Sequence, residues 1–72
     1  MKDMVPLAKR LKDLRDKKKL TQLMLAKKSG FTLSYIGRLE TGHYDPQLST
    51  LRKLAKVLGV SISGLVEYRG KR

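Results

Sequence analysis

The sequence predicts an all-α protein, a bundle of five short helices, and three observations lead to that prediction. Between the glycines and prolines, apolar residues recur every three or four positions, as on one face of a helix. No stretch shows the strict alternation of a half-buried strand. Seventy-two residues suffice for one compact domain over 1–72, and without cysteine its core must rest on helix packing alone.

Leucine spacing and capping residues define the first two helices. The first helix is predicted from about Pro6 to about Lys18, because its leucines recur four and three residues apart. Thr21 is placed to cap the second helix, which we expect to end at Ser29 and Gly30.

The third helix is predicted to begin at a cap on Thr32, to direct Ile36 and Leu39 inward, and to be closed by Gly42. A sustained apolar stripe over residues 48–58 predicts the fourth helix.

A fifth helix is predicted to follow the fourth. Gly59 ends the fourth helix and Ser61 is placed to cap the fifth, although Gly64 weakens it. Residues 68–72 are interpreted as a basic tail.

The charge of the chain points to an anionic partner. Seventeen lysines and arginines against six acidic residues give a net charge of +11. Nucleic acid is the usual partner, because neutralising phosphates releases counterions. A merely solubilising surface is the plainer alternative, and an anionic membrane surface is a weaker one. Apolar residues form no run near the roughly 18 that a spanning helix needs, so we expect a soluble, cytoplasmic protein without membrane contact.

The segment around Gly30 has the pattern of two helices that cross steeply. The small Ala26 lies where the second helix would meet Ile36 of the third. With its inward positions filled, the third helix leaves its first turn and Arg38 exposed, which is the geometry for entering a major groove.

The chain resembles the Cro-like, Xre-type family of phage repressors over about residues 7–66, with the helix-turn-helix at about 22–41. This resemblance implies a lambda-repressor-like DNA-binding domain. The matching residues are Leu14-Arg15, Thr21-Gln22, Leu25-Ala26, Gly30, Ile36, Leu39-Glu40 with Gly42, Asp45-Pro46 and Leu58-Gly59-Val60-Ser61.

The resemblance assigns roles to residues of the predicted helix-turn-helix. The positions implied to read bases are Thr32, Leu33, Ser34 and Arg38. Those implied to contact the DNA backbone are Gln22, Tyr35 and Thr41. Arg38 is the strongest base reader, because its planar fork can donate two hydrogen bonds to guanine. Arg15 and Glu40 resemble a buried ion pair that orients the recognition helix.

The chain also departs from the family pattern. Leu23 and Met24 replace acidic residues, which removes the glutamate of a capping box and predicts two exposed apolar side chains. Lys19 replaces a glycine and must either adopt a left-handed conformation or change the turn. Gly37 lies inside the recognition helix, where it lets the helix approach the duplex closely at a cost of about 1 kcal/mol.

These observations favour a sequence-specific transcriptional regulator, a repressor that binds a palindromic operator as a homodimer. In similar proteins the pairing surface corresponds to Val60, Ile62, Leu65, Val66 and Tyr68. The alternative is a protein-interaction module on the same fold, of antitoxin or coactivator type, which the apolar Leu23 and Met24 support. A prokaryotic host with a phage or plasmid context fits the resemblance.

Enzymatic, metal and cofactor functions are not expected. The chain has no cysteine and a single histidine, His43, so it has neither a nucleophile beside a base nor a metal-ligand set. No glycine-rich phosphate loop follows a strand.

Overall fold

A computed structural model describes residues 5–65 of the chain and confirms the all-α prediction. Within this range no residue is in a strand, and a fifth helical segment begins at 62 and covers 62–65. The four preceding helices are α1 (Val5–Lys17), α2 (Gln22–Ser29), α3 (Leu33–Leu39) and α4 (Leu48–Leu58). None of the helices in the described part is long and apolar enough to cross a membrane.

One apolar core holds the elements together. The largest side chains with almost no exposed surface are Leu7, Leu11, Leu25, Ile36, Leu54, Leu58 and Leu65. They come from all four helices and from the 62–65 segment, so each element buries one face against the others. Burial of each such side chain contributes roughly 1.5–3 kcal/mol.

Threonine side chains begin the two helices of the predicted helix-turn-helix. Thr21 Oγ1 accepts a hydrogen bond from the Met24 amide at 3.1 Å, and Thr32 Oγ1 accepts one from the Tyr35 amide at 3.1 Å. Each hydroxyl therefore satisfies one amide of the first turn that has no partner within the helix. Thr21 keeps this bond although the chain lacks the glutamate of a capping box.

The end of α1 shows how the chain accommodates Lys19 at a position where the family has glycine. Lys19 has φ 57°, the only positive φ of a residue other than glycine between residues 5 and 65. Its amide donates to Asp16 O at 2.9 Å, and the Leu20 amide donates to Arg15 O at 3.0 Å. This pair of bonds is the Schellman motif, in which the left-handed position usually carries glycine. The turn keeps its geometry, and the lysine adopts the left-handed conformation.

The third helix is shorter than the sequence predicts. It ends at Leu39 and is followed by a turn at 40–42, so Gly42 is not the residue that closes it. Glu40 and Thr41 donate to Ile36 O and Arg38 O, which tightens the last turn before the glycine is reached. Gly42 is nevertheless left-handed, with φ 85°, and a Cβ there would lie 2.8 Å from Val5 Cγ2. The glycine is required for close packing of the turn on the start of α1.

Candidate nucleic-acid interface

Helices α2 and α3 pack against each other around the turn at Gly30. That glycine is left-handed, with φ 79° and ψ 20°, and the Phe31 amide donates to Ala26 O at 2.9 Å. Ala26 and Ile36 are each 1% exposed, as expected of the small contact position and the residue opposite it. The buried side of α3 is thus fixed, and its other side faces solvent.

The side chains predicted to read bases lie on that solvent-facing side. Leu33 is 48% exposed, and Thr32, Ser34 and Arg38 are also exposed. Leu33 precedes Gly37 by one helical turn, and Ser34 precedes Arg38 by one turn. These four residues therefore lie on neighbouring parts of one face of α3. Thr32 already uses its hydroxyl as the N-cap acceptor.

Arg38 is held by an aromatic ring. Its guanidinium carbon lies 5.8 Å from the ring centroid of Tyr44, within the range of a cation–π interaction. Tyr44 is 44% exposed. Sequence reasoning missed this partner because it follows Arg38 by six residues, beyond a turn, where helical periodicity gives no signal.

Two residues predicted to contact the DNA backbone also make contacts within the fold. The Thr41 hydroxyl donates to Arg38 O at 2.6 Å and accepts from the His43 amide at 3.3 Å. The hydroxyl of Tyr35 lies 3.3 Å from Thr50 Oγ1, and its half-buried ring packs at 5.1 Å on Phe31. Thr41 therefore stabilises the turn after α3, and Tyr35 links α3 to α4.

Arg15 and Glu40 form a bidentate ion pair between α1 and the end of α3. Arg15 Nε donates to Glu40 Oε2 at 2.7 Å and Nη2 donates to Oε1 at 3.0 Å. Only 14% of the Arg15 side chain and 2% of the Glu40 side chain are exposed. The hydrogen bond with Glu40 raises the pKa of Arg15 above its ordinary value, although partial burial opposes the rise.

Two further bonds extend this pair into a network. Arg15 Nη1 donates to Leu20 O at 2.8 Å, and Gln22 Nε2 donates to Glu40 Oε1 at 2.9 Å. Gln22, the third residue predicted to contact the DNA backbone, is thus oriented by a buried carboxylate at the start of α2. One amide hydrogen is used in this bond, which leaves the second hydrogen and the carbonyl oxygen for other partners.

Exposed cations lie on α2 and α4. Lys27 and Lys28 lie in the last turn of α2, and Arg52 and Lys53 are exposed on α4. The ammonium group of Lys53 lies 5.5 Å from the ring centroid of Phe31, next to the contact between α3 and α4. These charges provide a sequence-independent attraction for phosphate.

The predicted pairing surface needs one correction. Leu65 is 0% exposed and belongs to the core of the single chain, so its side chain is not available to a partner. The 62–65 segment is bonded to α1, because Arg10 Nε donates to Gly64 O at 3.3 Å, and Leu65 belongs to the apolar core. Val60 and Ile62 are half-buried. Val66, Tyr68 and the basic tail at 68–72 lie outside the described residues.

Leu23 and Met24 are exposed, as their departure from the family pattern predicts. Their exposed fractions are 46% and 43%.

Within residues 5–65, no group of three histidine, cysteine or acidic side chains is arranged to hold a metal ion.

Comparison with known proteins identifies similar sequences and structures. A family model described as helix-turn-helix matches residues 11–65. The immunity repressor protein of Bacillus phage phi105 is 42% identical over 57 residues, which cover 79% of this chain and 40% of the repressor. The chain thus spans less than half the length of that relative. The curated relatives are transcriptional regulators and repressors.

Two solved structures show how widely this domain is used. The restriction-modification controller protein C.AhdI from Aeromonas hydrophila has a TM-score of 0.83 and 37% identity, covering 86% of this chain and 94% of the controller. The hydroxypropylphosphonic acid epoxidase of S. wedmorenis has a TM-score of 0.79 and 33% identity, covering 88% of this chain but only 34% of the epoxidase. The similarity to the enzyme is thus confined to one third of it.

The family model covers most of the chain, and the relatives share the same fold and class. The resemblance to phage repressors is therefore confirmed, and the chain carries the helix-turn-helix domain of DNA-binding transcriptional regulators. The chain belongs to the Xre-type helix-turn-helix family.

Proposed function

We propose that the chain is a sequence-specific transcriptional repressor that binds a palindromic operator as a homodimer. One observation carries this proposal: α3 is anchored by Ile36 and Leu39 and presents Leu33, Ser34 and Arg38 on its exposed side. An anchored helix with a solvent-facing arginine is the arrangement that reads base edges in a major groove.

The chemistry of the exposed side chains favours guanine as the main base recognised. The guanidinium of Arg38 can donate two hydrogen bonds to O6 and N7 of guanine. Leu33 can contact only the methyl group of thymine, and Ser34 discriminates weakly. We therefore assign sequence preference mainly to Arg38.

The size of the domain supports binding as two copies. The seven residues of α3 span roughly 10 Å, about three base-pair steps, so one copy reads a short site. One copy carries one α3, whereas a second half-site in the major groove is centred about 34 Å away. Two copies related by a two-fold axis would read two half-sites, and the half-buried Val60 and Ile62 are candidates for the contact between them.

Backbone contacts are assigned to residues that position the domain. Gln22 keeps a second amide hydrogen available for a phosphate oxygen while Glu40 fixes its orientation. Tyr35 lies within α3 and Thr41 follows its end, and the exposed lysines of α2 add electrostatic attraction. The partner is double-stranded DNA, and the site of action is the cytoplasm of a prokaryotic host, in a phage or plasmid context.

Selection of bound duplexes from a random DNA pool tests this function. We expect enrichment of a palindrome whose half-sites are centred about one helical turn apart. Arg38→Ala should weaken binding to the enriched duplex by about 1–3 kcal/mol and relax preference at one symmetric pair of positions. Arg52→Ala is the matched control: it removes the same charge from an exposed site on α4 and should weaken enriched and shuffled duplexes alike.

A second candidate is a protein-interaction module, because Leu23 and Met24 are exposed at the start of α2. This alternative predicts that the pool yields no enriched sequence. It also predicts that Leu23→Gln with Met24→Gln leaves binding to random DNA unchanged but abolishes capture of the protein partner.

A further inference from the structure

Tyr44 is the aromatic partner of the arginine assigned to base reading. We propose that Tyr44 is a positioning residue for Arg38: its ring holds the guanidinium in place and thereby sets the sequence preference of the reading helix. This inference rests on the proposed function. The supporting contact is the 5.8 Å separation between the guanidinium carbon and the ring centroid.

The nature of this contact leaves the hydrogen-bond donors of Arg38 available. All five N–H groups of a guanidinium lie in its plane, whereas an aromatic ring attracts the cation through its face. Within residues 5–65 no acceptor bonds to the guanidinium of Arg38, in contrast to Arg15, whose Nε, Nη1 and Nη2 all donate to protein acceptors. The ring thus restricts the arginine without occupying the groups that would meet a base.

The turn at 40–42, which precedes Tyr44, is held by hydrogen bonds and by packing. The Thr41 hydroxyl bridges Arg38 O and the His43 amide, which ties the end of α3 to the residue before Tyr44. Gly42 lies so close to Val5 that even a Cβ would collide with it. The backbone that leads to Tyr44 is therefore held by hydrogen bonds to the end of α3 and by the contact with α1.

Restricting the Arg38 side chain before the protein binds DNA should increase both its affinity for the duplex and its discrimination between bases. A free arginine on an exposed helix loses considerable rotamer entropy when it is fixed against a base. If Tyr44 restricts the side chain beforehand, part of that loss has already occurred, and guanidinium positions that could satisfy other bases are less populated. Only the base contacts made by Arg38 should gain affinity and discrimination from this restriction.

The test compares the parent chain and two variants on the most enriched duplex from the random pool and on its shuffled counterpart at one salt concentration. Tyr44→Leu removes the π face and keeps apolar volume, whereas Tyr44→Phe keeps the face. We expect Tyr44→Leu to weaken binding to the enriched duplex by about two- to fivefold, the size of an exposed cation–π contact. Tyr44→Phe should bind like the parent chain, and shuffled DNA should bind all three proteins equally.

A double-mutant cycle with Arg38→Ala isolates the coupling. Once Arg38 is absent, Tyr44→Leu should have no further effect on either duplex. Equal losses in both backgrounds, or equal losses on both duplexes, would overturn the positioning role. A Tyr44→Phe variant as weak as Tyr44→Leu would do so as well, because the hydroxyl would then make the contact.

A measurement without DNA separates failure of this inference from failure of the proposed function. In the free protein, the ring current of Tyr44 should shift the side-chain NMR signals of Arg38 upfield, and the shift should disappear in Tyr44→Leu but remain in Tyr44→Phe. Unshifted signals overturn the inference even when a palindrome is enriched. Shifted signals without any enriched duplex overturn the proposed function and, with it, the role in base reading.

Discussion

The ion pair between Arg15 and Glu40 is asymmetric, and its two members should respond differently to substitution. The Glu40 side chain is 2% exposed and the Arg15 side chain 14%. Removal of one partner from a buried pair costs roughly 3–5 kcal/mol, because the remaining charge has no counterion. Glu40 is the more deeply buried of the two. Leaving its charge without a counterion should therefore cost more free energy than leaving the charge of Arg15 without one.

We therefore expect Arg15→Ala to lower the free energy of unfolding more than Glu40→Ala does. Arg15→Ala also leaves Leu20 O without its donor. The double variant Arg15→Ala/Glu40→Ala should lose much less than the sum of the two single losses, because no unpaired charge is then buried. Urea unfolding of the four proteins measures the cycle. Strictly additive losses would contradict the coupling.

Lys19 carries a backbone conformation that glycine adopts without strain. Since Lys19 has φ 57° in the Schellman motif that ends α1, Lys19→Gly should raise the free energy of unfolding by about 0.5–1 kcal/mol. Lys18→Gly is the matched control, because it removes an adjacent lysine from a position without positive φ and should lower stability. Thermal unfolding of both variants checks the prediction, and equal effects would mean that lost charge, and not backbone strain, decides the result.

At the scale of elements, sequence patterns predicted the helices well because helix formation depends on local features. Apolar spacing located α1 and α4 to within one residue at their ends. Side-chain caps at Thr21 and Thr32 identified the starts of α2 and α3. The predicted end of α3 was wrong because the last turn of the helix tightens at Glu40. No residue type in the sequence signals this change.

Contacts between elements were less predictable from sequence. The pairing of Arg15 with Glu40 could be expected from family resemblance, but the bond from Gln22 to the same carboxylate requires the packing of α2 on α3. The hydroxyl contact between Tyr35 and Thr50 joins residues fifteen positions apart on different helices. Such contacts depend on how helices pack, and a single sequence contains no periodic signal for them.

Neither backbone conformation nor packing within the protein requires a glycine at position 37 of α3. A Cβ at Gly37 would meet nothing within 4 Å, and its φ is not positive. Gly37→Ala should therefore raise the free energy of unfolding by about 0.5–1 kcal/mol.

The same substitution should weaken binding to the enriched duplex, because the added methyl group lies on the face assigned to DNA. Thermal unfolding and duplex titration of one preparation measure both effects. Gly30→Ala is the control: it places a side chain at φ 79° in the turn and should lower stability. A gain in stability with unchanged binding would contradict a role for Gly37 in close approach.

At the scale of the whole molecule, the net charge of +11 makes salt dependence the most general test of DNA binding. Each phosphate neutralised on duplex DNA contributes about −0.9 to the slope of log K against log salt concentration. Contacts to roughly 4–5 phosphates by each of two copies then give a slope of about −7 to −9, whereas one copy gives about half of that.

The slope therefore reports both the binding mode and the number of copies bound. Titration of the enriched duplex between low and moderate salt measures it, and a slope shallower than about −2 would exclude phosphate-driven binding. Lys28→Gln, at the exposed end of α2, should reduce the magnitude of a dimer's slope by about 2, one phosphate for each copy, and should weaken enriched and shuffled duplexes equally. Tyr44→Leu, which removes no charge, should lower affinity for the enriched duplex without changing the slope, because base contacts release no counterions.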